Sequence, residues 1–315
     1  MTLTSGTTTH TYRTLDAPVA GGTLRVGVWD PMSSDGPAPT VLAVHGITAS
    51  HRAWPGLVRA LPGVRVIAPD LRGRGRSHAL PAPYGMAAHA DDLAAVLELE
   101  GGGPVVAVGH SMGGFVVTVL AHRHPALVSR LVLVDGGVPL PRPLVADDAT
   151  HDDVLLALLG PAAERLSRTF PDRATYRQFW RAHPAFADAW ESELGELLSD
   201  YVDYDLVEDG DALRPASSYA AVAADSLDLY EGGPLLEAIA GPEPVRVPTA
   251  FLRAPRGLLD ADPLYDPAWL DAWAPRLPHV TTRDVDDVNH YTIIMSPPGV
   301  AAVASTVREA LTAAS

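Results

Sequence analysis

The sequence predicts an α/β protein: a doubly wound, mostly parallel sheet with a helical segment inserted in its second half. Short β-branched runs bounded by Gly, Pro or Asp alternate with helical stretches, the pattern of strands buried on both faces. The alternation stops between Leu133 and Thr249, where helical periodicity takes over. At 47% hydrophobic and 19% charged over 315 residues, the chain can bury a sizeable core.

Residues 23–29 read as an early edge strand, followed by core strands at 40–44, 64–68, 105–108, 131–134, 249–252 and 280–285. Helices are expected at 54–61, 84–100, 112–122 and 301–312. Pro139, Pro141 and Pro143 close the first block, and Pro242, Pro244 and Pro248 announce the return of a strand. Between them, helical stretches at 152–170, 173–183, 187–201 and 217–240 are broken at Pro161, Pro184, Pro215 and Pro234. The expected organisation is therefore a core of residues 1–139 and 241–315 with a helical subdomain at 140–240.

The net charge of −15 is unevenly placed, because residues 140–240 hold 20 of the 38 acids and 7 of the 23 bases. An acidic surface makes nucleic acid and anionic lipid poor partners, and a small molecule is expected instead. Without cysteine there is no disulfide, thiolate nucleophile or Cys-ligated zinc. Every basic residue is arginine, so Schiff-base chemistry and the phosphate-cradling lysine of a P-loop are excluded. Residues 1–16 lack the pattern of a signal peptide and no apolar run reaches membrane-spanning length, so a cytoplasmic location is expected. Metal-ligand spacing is missing, and the glycines at 101–103 precede a strand rather than follow one, so no cofactor or metal is expected.

The chemistry concentrates where the strand at 105–108 runs into Gly109-His110-Ser111-Met112-Gly113 and then an apolar helix. A serine on such a strand-to-helix turn projects its hydroxyl, and the helix N-terminus favours developing negative charge. A second strand ends in His45-Gly46-Ile47. The amides of Met112 and Ile47 are the expected oxyanion donors, each worth about 2.7–4 kcal/mol of transition-state stabilisation. His45 is expected to hold the loop.

These motifs, with Pro69-Asp70-Leu71-Arg72-Gly73-Arg74-Gly75-Arg76-Ser77 and Asn289-His290, fall in an order that resembles the α/β-hydrolase superfamily, of the kind with a helical cap inserted after the sixth strand. The resemblance covers nearly the whole chain. It implies that the arginine-rich loop is a structural turn, that Ser111 is the nucleophile and that His290, after the last strand, is its base. For the orienting acid the family often uses Gly-x-x-Asp, matched by Gly257 to Asp260 but later than usual. Asp260 therefore ranks first, Asp135 at the end of the preceding core strand second, and Asp262 third.

A serine at position 111 argues against epoxide hydrolases and haloalkane dehalogenases, which attack with a carboxylate. The reading is a serine hydrolase acting on a small to medium, mostly apolar ester or thioester. Alternatives are a C–C bond hydrolase, a biosynthetic acyltransferase or cyclase, and a non-catalytic receptor of the same fold. Half of the 20 aromatic residues fall in 140–240, which makes Trp180 a candidate pocket wall; in the core, Trp54 after the oxyanion loop and Tyr291 beside His290 are two more.

Overall fold

Side chains along a strand point alternately to opposite faces, and the central strands bury both. In β3 (Thr40–Val44), Leu42 and Val44 enter one core cluster while Val41 and Ala43 enter another. β5 (Val105–His110) repeats this, with Ala107 on the first side and Val106 and Val108 on the second. The computed structural model describes residues 9–33, 36–141, 150, 161–187 and 189–314.

The remaining strands of the large sheet are β1 (His10–Val19), β2 (Gly22–Pro31), β4 (Arg65–Pro69), β6 (Val128–Val134), β9 (Thr249–Arg253) and β10 (Val280–Asp284). Their order is β1-β2-β4-β3-β5-β6-β9-β10. All pairs from β4 to β10 are parallel, whereas β1–β2 and β2–β4 are antiparallel. Helices α2 (Met86–Leu99) and α3 (Met112–Arg123) cover one face, and α1 (Pro55–Ala60) covers the other. The doubly wound, mostly parallel sheet is as expected. The sequence reading missed β1, which pairs with β2 along its whole length and moves the edge outward by one strand.

After β6, the described chain resumes as helix at α4 (Pro161–Glu164) and continues with α5 (Arg173–Arg181) and α6 (Gly195–Tyr204). A hairpin of β7 (Leu206–Asp209) and β8 (Ala212–Pro215) follows, then α7 (Tyr219–Glu231) and α8 (Gly233–Ala240). The hairpin was not anticipated, although Gly210 takes φ +61° in its two-residue turn, the kind of turn a glycine signals. The helix expected at 187–201 begins only at Gly195. Of the helix expected at 152–170, residues 152–160 lie outside the described residues, and a 3-10 turn at Arg165–Ser167 follows α4.

The chain closes with α9 (Pro267–Trp273) and α10 (Pro297–Ala314), the latter packing beside α1. Helix α2 has Gly85 as its N-cap, with no capping side chain of its own. Its first amides are satisfied by the inserted stretch instead: Gly85 N–H donates to Asp225 at 2.6 Å and Met86 N–H to Asp228 at 2.9 Å. Among the described residues, no helix is long and apolar enough to cross a membrane.

Candidate active site

Parallel strands deliver their following loops to one edge of a sheet, where α/β proteins place ligands. At that edge β5 passes into Ser111, whose backbone is held at φ 54°, ψ −127°, and α3 starts at the next residue. A positive φ is costly for serine, so neighbours must impose it. Ser111 N–H donates to the Val134 carbonyl at 3.0 Å, and Gly114 N–H to the Ser111 carbonyl at 2.9 Å. A Cβ on Gly109 would collide with the Gly113 carbonyl, and one on Gly113 with the Val44 carbonyl. Close backbone crossing therefore explains both motif glycines.

His290 lies in the loop after β10, with its Nδ1 2.7 Å from Asp135 Oδ2. Asp135 immediately follows β6, is fully buried, and accepts Ala254 N–H at 3.1 Å on its other oxygen. An ionised carboxylate can only accept, so Nδ1 carries a proton, and in the neutral ring the lone pair is then on Nε2.

The first-ranked acid, Asp260, is not the carboxylate that the structure brings to His290. Asp260 stands away from the histidine: its Oδ1 accepts Asn289 Nδ2–H at 2.9 Å and pairs with Arg256 at 2.8 Å, and its side chain is 39% exposed. The reason is local. Asp260 N–H bonds to the Gly257 carbonyl and Gly257 N–H to the Ala261 carbonyl, so Gly-x-x-Asp closes into its own turn. Asp262 is exposed in the same loop.

The loop after β3 is fixed by side chains. His45 donates from Nδ1 to the Gly46 carbonyl at 2.8 Å and accepts Leu71 N–H at Nε2 at 2.9 Å. One ring can do both only while uncharged, and burial pushes its pKa down to about 4. A trans peptide points N–H opposite its carbonyl, so holding the Gly46 carbonyl also aims the Ile47 amide. Among the described residues, neither Ile47 N–H nor Met112 N–H has a backbone acceptor. Met112 opens α3, where no preceding helical turn can supply one.

His110, not singled out from the sequence, donates from Nε2 to the His290 carbonyl at 2.7 Å, and its ring centre is 4.8 Å from that of His290. Burial, with His290 next to it, holds its pKa well below the usual imidazole range. In the arginine-rich loop, expected to be a structural turn, Arg72 makes a two-pronged bond to Asp92 at 2.9 and 2.8 Å.

Ser111 and His290 line one cavity together with Ile47, Thr48, His110 and Tyr291. Its apolar wall comes from Leu140, Tyr201, Leu229, Leu258, Leu264, Ile294 and Met295. Of the three expected aromatic walls, Tyr291 is present. Trp54 is fully buried in the core beside α1, and Trp180 stands one layer back, its ring centre 6.4 Å from that of Tyr291. The leucines carried no local signal; only the fold brings them together, from helix α7 and two separate loops. Among the described residues, no group of His, Asp and Glu is arranged to hold a metal ion.

A mostly parallel α/β sheet with a strained serine between a central strand and its helix defines the α/β-hydrolase class. The family model for the alpha/beta hydrolase fold matches residues 39–297, and the chain belongs to that family. It is 48% identical over 105 residues to lipase LipV of Mycobacterium tuberculosis, a match covering 33% of this chain and 40% of the lipase. The chain thus spans well under half the length of that curated relative. Among solved structures, E-2-(acetamidomethylene)succinate hydrolase superposes with a TM-score of 0.73 at 21% identity, covering 95% of this chain and 100% of the other. The thioesterase domain from the curacin biosynthetic pathway gives 0.69 at 23%, covering 95% and 99%.

Proposed function

We propose that this protein is a serine hydrolase that cleaves a small to medium, mostly apolar carboxylic ester or thioester through Ser111, His290 and Asp135. The observation that carries the reading is the 2.7 Å bond between His290 Nδ1 and buried Asp135, at a cavity that Ser111 shares. The bond fixes the tautomer in which Nε2 can take the Ser111 proton as Oγ attacks the carbonyl, and Asp135 stabilises the imidazolium that results. The amides of Ile47 and Met112 receive the oxyanion. His290 returns its proton to the leaving alkoxide or thiolate, then activates the water that hydrolyses the acyl-enzyme.

Residues 140–240 act as a cap over this chemistry. Leu140, Tyr201 and Leu229 of that stretch face the cavity opposite core residues such as Ile294 and Met295. Among the described residues, no cationic side chain lines the cavity, which favours an uncharged acyl group over one bearing a carboxylate.

The test is a fluorophosphonate probe together with p-nitrophenyl esters of increasing chain length. The expected result is a single adduct on Ser111 and hydrolysis that is best for short to medium uncharged chains. Absence of an adduct and of turnover would overturn the proposal. An adduct without hydrolysis would move it to an acyltransferase.

A further inference from the structure

The oxyanion loop has two further holders, and both answer to the inserted stretch. The Ile47 carbonyl accepts Arg74 Nε–H at 2.8 Å, and the next carbonyl, that of Thr48, accepts Arg165 Nη2–H at 3.0 Å. Both guanidinium groups are buried. Each is paired with an aspartate of the insertion: Arg74 with Asp225 on α7, and Arg165 with Asp205, just after α6, at 2.6 Å. Neither aspartate is free to follow its arginine elsewhere. Asp225 also receives His89 Nε2–H at 2.9 Å and Gly85 N–H at 2.6 Å, and Asp205 receives the Tyr176 hydroxyl at 2.5 Å.

Arg74 additionally brings Nη2 to 3.9 Å from Met112 Sδ, so one guanidinium touches both residues whose amides serve as donors. With Gly46 held by His45, three consecutive carbonyls are tied by side chains. Each tie fixes a peptide plane: the Gly46 tie fixes that of the Ile47 amide itself, and the other two fix the next planes, the last of which carries the Ala49 N–H that donates back to the Gly46 carbonyl at 3.1 Å. Ordinary docking of a cap needs contacts between surfaces. It does not need buried arginines spent on the carbonyls of this particular loop.

We propose that Arg74 and Arg165 are positioning residues that hold the oxyanion loop in its donor conformation, with Asp225 and Asp205 making that conformation depend on the seating of the inserted segment. The inference rests on the serine-hydrolase reading above. It makes the cap part of transition-state stabilisation as well as of the pocket wall, so disturbing the pairs lowers kcat and leaves ground-state binding nearly intact.

The experiment uses the full chain with Arg74→Met, Arg165→Met, Arg165→Lys, Asp205→Asn and Asp225→Asn. It measures kcat and KM for one p-nitrophenyl ester and the inhibition constant of a trifluoromethyl ketone with the same acyl chain. The expected loss in kcat for the methionine variants is about 10–100-fold, below the roughly 10²–10³-fold of a donor removed outright. KM should stay within about twofold, inhibitor affinity should fall in step with kcat/KM, and Arg165→Lys should recover part of the loss. Unchanged kcat in folded variants overturns the inference, as does a raised KM at constant kcat or a lowered Tm with wild-type kinetics. Should the methionine variants fail to fold, the shape-preserving asparagine variants carry the same readouts. A wild type that neither labels at Ser111 nor turns over defeats the hydrolase reading itself. A labelled, active wild type with unaffected arginine variants defeats this inference alone.

Discussion

Asp135 and Asp260 follow neighbouring parallel strands, β6 and β9, and both hold a positive φ, 47° and 59°. Asp135 is sealed beneath the site, where its two oxygens meet the His290 imidazole and the Ala254 amide. Asp260 sits on a turn that closes on itself, shares its charge with a surface arginine, and reaches only Asn289, next to His290. The difference teaches that a motif match locates a loop, whereas burial and direction decide which carboxylate can act on the base. A partly exposed ion pair is worth little; a buried carboxylate facing a histidine can set its tautomer.

The largest expected effect tests the reaction both aspartates were candidates to serve. Ser111→Ala should lower ester turnover by about 10⁴–10⁶-fold with the fold intact; residual activity within tenfold of wild type would remove the serine and make the comparison moot. Asp135→Asn comes next. Losing the carboxylate permits the wrong tautomer of His290, and a drop in kcat of about 10⁴-fold is expected. Asp260→Asn should cost less than about tenfold in kcat, because it loosens Asn289 but leaves the His290–Asp135 bond alone.

The smallest effect concerns what burial does to charge around the site. His45 and His183 both have pKa values pushed down to about 4, by burial first, with Arg165 adding to the effect on His183. An unfolded histidine titrates near 6.5, so between about pH 6.5 and 4 the unfolded chain binds protons that the native state refuses. Stability therefore falls as pH falls through that window. Thermal melts should show a lower Tm at pH 4.5 than at pH 7, with a shallower slope in His183→Asn. A Tm that is flat across the window would contradict the neutral, buried state of these rings.

The elbow was legible in the sequence because strand, Gly-x-Ser-x-Gly and helix are contiguous, so local order alone specifies the turn. The proposed base, His290, was legible through the family resemblance, as the histidine after the last strand. The proposed acid was not, because the choice depends on which loop folds under His290 and which curls outward. Asp135-Gly136-Gly137 did hold a clue: a Cβ on Gly136 would strike the Ser111 carbonyl, so that strand end must pass directly beneath the elbow. The cavity leucines and the two arginines proposed to position the oxyanion loop were hidden for a different reason. Arg165 and Thr48 are distant in sequence, and an arginine in a helical run reads as a solvated charge until the fold buries it. Between the helices expected at 187–201 and 217–240, Gly210-Asp211 is the turn signal of the hairpin that the sequence reading left unassigned.

The claim that Asp135, and not Asp260, governs the base is tested most directly by proton NMR of the His290 ring. A proton shared between Nδ1 and a buried carboxylate resonates far downfield and exchanges slowly with water. The account predicts that this signal is present in wild type, persists in Asp260→Asn and disappears in Asp135→Asn. Persistence of the signal in Asp135→Asn with loss in Asp260→Asn would contradict it.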